Sequence, residues 1–104
     1  MKERFENAEV INNEKDRQFE IRIDGYVARV PYGFKDDTIA LFHTEVPKEI
    51  EGHGLGTKLA VYALNYAKDN GLKILLYCPF IASYIKKHPE WKQYIKHIGI
   101  SANH

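Results

Sequence analysis

From Gln18 to Ile23 the side chains alternate, with Phe19, Ile21 and Ile23 on one side and Glu20 and Arg22 on the other. A period of two predicts a half-buried strand. Asp24-Gly25 follows, a strong two-residue hairpin signal, and Tyr26 to Val30 reads as the returning strand. Pro31 to Asp37 is expected to form a second turn region, and Ile39 to Val46 another strand, β-branched and aromatic at its centre. The polar stretch Asn12 to Arg17 predicts a turn, with a short extra strand near Val10-Ile11. The first half therefore reads as an antiparallel meander.

At Pro47 the character changes. Pro47 to Glu51 is a polar connection, and Gly52-His53-Gly54-Leu55-Gly56 is a glycine loop. From Leu55 to Asn70 the apolar positions Leu55, Leu59, Ala63 and Ala67 share one helical stripe, flanked by Tyr62 and Tyr66. Gly71 stands where a helix end favours a left-handed residue. Leu72 to Tyr77 is a nearly continuous apolar run, as in a strand buried on both faces. Pro79 stops it. Phe80 to Lys87 reads as a helix broken by His88-Pro89, and Glu90 to Lys96 as a further helical turn or two, with Trp91 packing it onto the sheet. Ser101 to His104 are expected to fray. A strand–helix–strand unit crosses over with right-handed sense, so the strands at Ile39–Val46 and Leu72–Tyr77 should run parallel. Meander plus parallel unit gives an α+β fold of mixed strand direction, in a single domain over 1–104 with its core at about 10–96.

Composition narrows the function classes. The chain has 104 residues, 44% hydrophobic and 28% charged, as in an ordinary globular domain. Fifteen basic against fourteen acidic residues argue against a dedicated nucleic-acid coat. The lone Cys78 has no disulfide partner, and His88, His97 and His104 show no ligand spacing, so no metal is assigned. With no signal peptide at Met1-Lys2-Glu3-Arg4 and no apolar run near membrane-spanning length, a cytoplasmic protein without membrane attachment is expected.

Glycines at every second position before an amphipathic helix suit close approach of a ligand to backbone N–H groups. A helix N-terminus offers unpaired donors and partial positive charge, and together these make a phosphate cradle. The plain alternative is a tight turn. The Walker order is reversed in Gly56-Thr57-Lys58, and the dinucleotide fingerprint lacks its acidic residue at the end of the next strand, which closes in Tyr77-Cys78-Pro79.

Glu51-Gly52-His53-Gly54-Leu55-Gly56 resembles the pyrophosphate motif Arg/Gln-x-x-Gly-x-Gly/Ala of the GCN5-related N-acetyltransferases, with Gly54 and Gly56 on its fixed glycines. The chain is more closely similar to the small branch of the N-acetyltransferase domain-containing protein 1 type. That resemblance rests on His43-Thr44-Glu45-Val46-Pro47, Glu51 to Gly56, Gly71-Leu72-Lys73, Cys78-Pro79-Phe80, Tyr84-Ile85 and His88-Pro89, and covers roughly Val10 to Lys96. One departure is that Glu51 stands where the family usually has Arg or Gln. Lys48 and Lys58 are nearby cations that can offset it.

The resemblance implies acetyl-coenzyme A as cosubstrate, lying where the parallel strands splay, and an amine acceptor: a protein lysine, an N-terminus or a small amine. It implies pantetheine pairing like an extra strand with Ile39–Val46 and diphosphate on the amides of His53, Gly54, Leu55, Gly56, Thr57 and Lys58, with Thr44, Val46 and Gly52 also expected to bind the cofactor. Transfer requires deprotonation of the amine, polarisation of the thioester carbonyl and care of the leaving thiolate. His43 is the favoured base, since an imidazole titrates near neutral pH, with Glu45 as the other candidate. Tyr84 occupies the place of a thiolate acid in many relatives. Cys78, next to a helix start, offers an acetyl-cysteine route, since helix N-termini favour thiolates. Direct transfer and the covalent route both stay open.

The plain readings stand alongside. Cys78 can be inert core, His43 a hydrogen-bonded sheet residue and Tyr84 a packing residue, while His53 faces solvent and gives only its amide. The alternative function is a non-catalytic module that binds or senses acyl-coenzyme A. A scaffold that kept only the fold would have no need of Gly52, Gly54 and Gly56.

Overall fold

A computed structural model describes residues 2–99, so the tail from Ser101 to His104 lies outside the described residues. Helix α1 (Lys2–Glu6) leads into β1 (Ile11–Asn13), β2 (Gln18–Ile23), β3 (Tyr26–Lys35) and β4 (Thr38–Leu41). A 3-10 turn (Lys48–Ile50) precedes α2 (Leu55–Asp69), β5 (Lys73–Leu76), α3 (Pro79–Lys87), a second 3-10 turn (Pro89–Tyr94) and β6 (Ile95–Ile98). The six strands form one sheet in sequence order, antiparallel from β1 to β4 and parallel from β4 to β6. The α+β mixed sheet read from the sequence is the fold observed.

The sheet buries one face against α2. Phe19 pairs with Val30, Ile21 with Ala28, Tyr32 with Leu41 and Ile39 with Ile74, so the alternating positions of neighbouring strands share that face. Leu59, Ala63, Leu64 and Ala67 of α2 are fully buried on it, and Phe19 meets the rings of Tyr62 and Tyr66. Each large aliphatic buried there contributes about 1.5–3 kcal/mol of transfer free energy. The helix ends as its sequence indicates. Gly71 adopts φ 65, its N–H reaches the carbonyl of Lys68, and Leu72 N–H reaches that of Ala67, which is the Schellman arrangement.

The structure corrects several boundaries. β3 runs through Pro31 to Lys35, and the turn shrinks to Asp36-Asp37. Pro31 is tolerated because it sits where β3 changes partners, opposite Gln18 at the start of β2, while its carbonyl accepts from Phe42. The segment from Ile95 is a strand parallel to β5, not a helical turn, giving a second parallel pair. Helix α1 had no sequence signal. Glu20, placed by alternation on the open side, is 1% exposed. Gln18, Asn13 and Arg22 all donate to its carboxylate, so a polar network covers the second face of β2 at Gln18 and Glu20, while Arg22 stays exposed as expected.

Candidate acyl-transfer site

The strand expected over Ile39–Val46 pairs regularly only to Leu41. Tyr32 lies opposite Leu41, but Arg29 lies opposite Glu45, so the register slips by one residue between Phe42 and Thr44. This is a β-bulge, which bends and re-aims the strand. Beyond it Glu45 exchanges both backbone hydrogen bonds with Arg29, at 2.8 and 2.9 Å. The N–H and C=O groups of Thr44 and Val46 therefore point to the other edge. On that edge β5 has already left: Tyr77 N–H makes the last bond, to Leu41, and Cys78 begins the turn into α3. The sheet opens into a V, and the amides of Thr44 and Val46 have no backbone partner among the described residues.

A cleft of about 630 Å³ occupies this opening. Thr44 and Val46 form one wall, Glu51, Gly52 and Gly54 to Thr57 another, and the Phe80 ring closes it from α3. Gly52 and Gly54 take φ 83 and 77, the left-handed region in which a side chain is strained. The first helical bond of α2 runs from Lys58 N–H to Gly54 carbonyl. The amides of Leu55, Gly56 and Thr57 precede it, and no side chain caps them.

The proposed site residues do not all converge. Thr44 Oγ1 lies 3.0 Å from Cys78 Sγ at the apex of the V, and Cys78 is fully buried. His43 is instead half exposed, with Nε2 2.5 Å from Glu45 Oε2. Glu45 is also held by the Arg29 guanidinium at 3.0 Å. The His43 ring nitrogen and the Arg29 guanidinium together keep the Glu45 carboxyl below the usual carboxylate range. Tyr84 stacks on His88 at 4.3 Å between ring centroids and does not line the cleft. His53 is exposed, as expected, and one face of its ring stacks on Phe5 at 3.6 Å between centroids. Lys58 cannot offset Glu51 as expected: its ammonium is bound to the carbonyls of Phe5, Glu6 and Ala8, and its amide is taken.

Gly56 has a packing reason of its own, contrary to expectation. A Cβ there would lie 2.9 Å from the Phe80 ring. Phe80 is a cleft residue to which the sequence pattern alone assigns no role. Its position just inside a Pro-started helix was the available signal.

Residues 18–94 match the family model of the GCN5-related N-acetyl-transferases. The chain belongs to the GCN5-related N-acetyltransferase family. It is 36% identical to Protein NATD1 of Gallus gallus over 93 residues, covering 86% of this chain and 84% of that protein. Against Protein NATD1 of Homo sapiens it is 35% identical over 83 residues, covering 77% and 74%. The solution structure of a GCN5-like putative N-acetyltransferase from Staphylococcus aureus superposes with a TM-score of 0.66 at 30% identity, covering 94% of this chain and 95% of that one. Among the described residues no helix is long and apolar enough to cross a membrane.

Proposed function

We propose that the protein is an acetyl-coenzyme A-dependent N-acetyltransferase acting on a primary amine. The observation that carries this reading is the V-shaped opening, in which unpaired strand amides at Thr44 and Val46 face an uncapped helix N-terminus. The two groups suit the two ends of one donor: a strand-like pantetheine arm along Thr44–Val46 and a diphosphate on the amides of Gly52 to Thr57. The thioester supplies the activated acyl group. A backbone N–H of the Thr44–Val46 stretch polarises its carbonyl.

His43 takes the proton that the attacking amine loses. Glu45, anchored by Arg29, fixes the imidazole's orientation. Nitrogen bonds to the acyl carbon as the carbon–sulfur bond breaks, and the thiolate leaves toward the cleft mouth, where solvent can protonate it. Full burial of Cys78 and its contact with Thr44 favour direct transfer over an acetyl-cysteine route. The position of Tyr84 against His88 gives it no part in this scheme. The acceptor would approach over the sheet face opposite α2, where Glu45 and the exposed rings of Phe42 and Tyr77 lie.

The test is steady-state thiol release from acetyl-coenzyme A with a panel of small amines, peptides with free N-termini and lysine peptides. Turnover with at least one class is expected, and His43→Ala should lower kcat by about 100-fold or more without raising the KM for acetyl-coenzyme A. Tight binding with no turnover on any class would favour the sensing module instead.

A further inference from the structure

We propose that α1 is a clamp on the glycine loop, with Phe5 and Lys58 as positioning residues for the diphosphate. This rests on the reading of that loop as the coenzyme A site. The loop owes little of its shape to itself. Gly52 and Gly54 are the residues of greatest backbone freedom, and α2 begins without a side-chain cap. What holds the loop comes from outside. His53, between those glycines, is stacked on Phe5 with 4° between the ring planes, and Phe5 is only 5% exposed. At the far end of the loop Lys58 Nζ donates to the carbonyls of Phe5, Glu6 and Ala8 at 2.9, 2.6 and 2.7 Å.

These are carbonyls at and just beyond the end of α1, where a cation is favoured. A lysine that the sequence offers as a phosphate ligand is thus spent on a helix. Arg4 pins the same helix to Asp24, in the β2–β3 turn, at 3.0 Å. Helix α1 therefore spans from that turn to the loop and grips the loop on both sides of its free amides. Coupling of this kind is reciprocal: a ligand that selects the gripped loop must tighten α1, and loosening α1 must weaken the ligand.

The experiment uses the full chain with Phe5→Leu, which keeps apolar volume but removes the ring, Lys58→Met, which keeps the stem but removes the ammonium, and the double variant. Amide hydrogen exchange is followed without ligand, and coenzyme A affinity by calorimetry. Exchange at 58–60, the first hydrogen-bonded amides that anchor the loop to α2, reports the loop's closure and should rise in both single variants. Coenzyme A should bind about fivefold or more weakly in each, and the double variant should be little worse than either alone, because both act through one helix. In the wild type coenzyme A should slow exchange at residues 3–8.

Weaker binding in Lys58→Met with unchanged affinity and loop exchange in Phe5→Leu would overturn the proposal and make Lys58 a direct phosphate ligand. Unchanged loop exchange in both variants would also overturn it, even if coenzyme A binds the wild type. If the loop loosens in both variants but the wild type binds no coenzyme A, the clamp stands and the acetyltransferase reading fails.

Discussion

Thr44 Oγ1 lies 3.0 Å from Cys78 Sγ, and this contact joins the two chain segments where the sheet divides. It ties the bulged strand after β4 to the start of α3. The thiol is thereby committed inside the protein and has no exposed surface. Cys78→Ala is expected to cost on the order of 1 kcal/mol of stability through lost packing, while turnover stays within a few-fold of wild type. Intact mass after incubation with acetyl-coenzyme A should show no acetyl adduct on the wild-type chain. An adduct that disappears in Cys78→Ala would establish the covalent route.

The two glycines at the loop's fixed positions should respond differently. Gly54 has open space where a Cβ would stand but sits at φ 77, so Gly54→Ala should cost about 1–2 kcal/mol through left-handed strain alone. Gly56 is helical and buried, and its added methyl meets Phe80. Alanine there gains up to about 1 kcal/mol in helix propensity, which offsets part of the crowding. Thermal unfolding should show Gly56→Ala as the milder change in stability, while its displaced Phe80 ring obstructs the cleft and weakens coenzyme A. Equal affinity in wild type and Gly56→Ala would separate Phe80 from the ligand site.

Glu20 gives a pH-dependent signature unrelated to the cleft. Burial raises its pKa, but the hydrogen bonds from Gln18, Asn13 and Arg22 and the charge of Arg22 outweigh this, leaving it below the ordinary 4.5. A depressed carboxyl stabilises the fold above its unfolded pKa, and that contribution is lost as pH falls through the folded one. Glu20→Gln should lose about 1–3 kcal/mol at neutral pH, less if the mostly exposed Arg22 is strongly screened. Denaturant unfolding across pH should show the gap between variant and wild type narrowing below about pH 4.5. A gap constant down to strong acid would contradict the network as described.

Much of the fold was legible because local signals agreed with the tertiary outcome. The strand at Gln18–Ile23, the hairpin turn at Asp24-Gly25 and the Gly71 helix end all appear where local chemistry puts them. Misreadings arose where a residue's role depends on a distant neighbour. Pro31 read as a turn because its strand's change of partner is invisible locally. Lys58 read as a phosphate cation because α1, too short to leave a helical period, is what claims it. Glu20 read as exposed because alternation reports faces, not what covers them. At the site, the glycine loop was visible as composition. The bulge that turns Thr44 and Val46 toward the opening follows only from the register with Arg29.

The proposed function requires amides on both sides of the sheet's opening, unpaired among the described residues, to bind one ligand. The direct measurement is a titration of the isotope-labelled protein with coenzyme A, following backbone amide resonances. Saturable shifts are expected at Gly52 to Thr57 and at Thr44 and Val46, with residues on the β1 edge unmoved. Shifts confined to other surfaces, or none at saturating ligand, would contradict it.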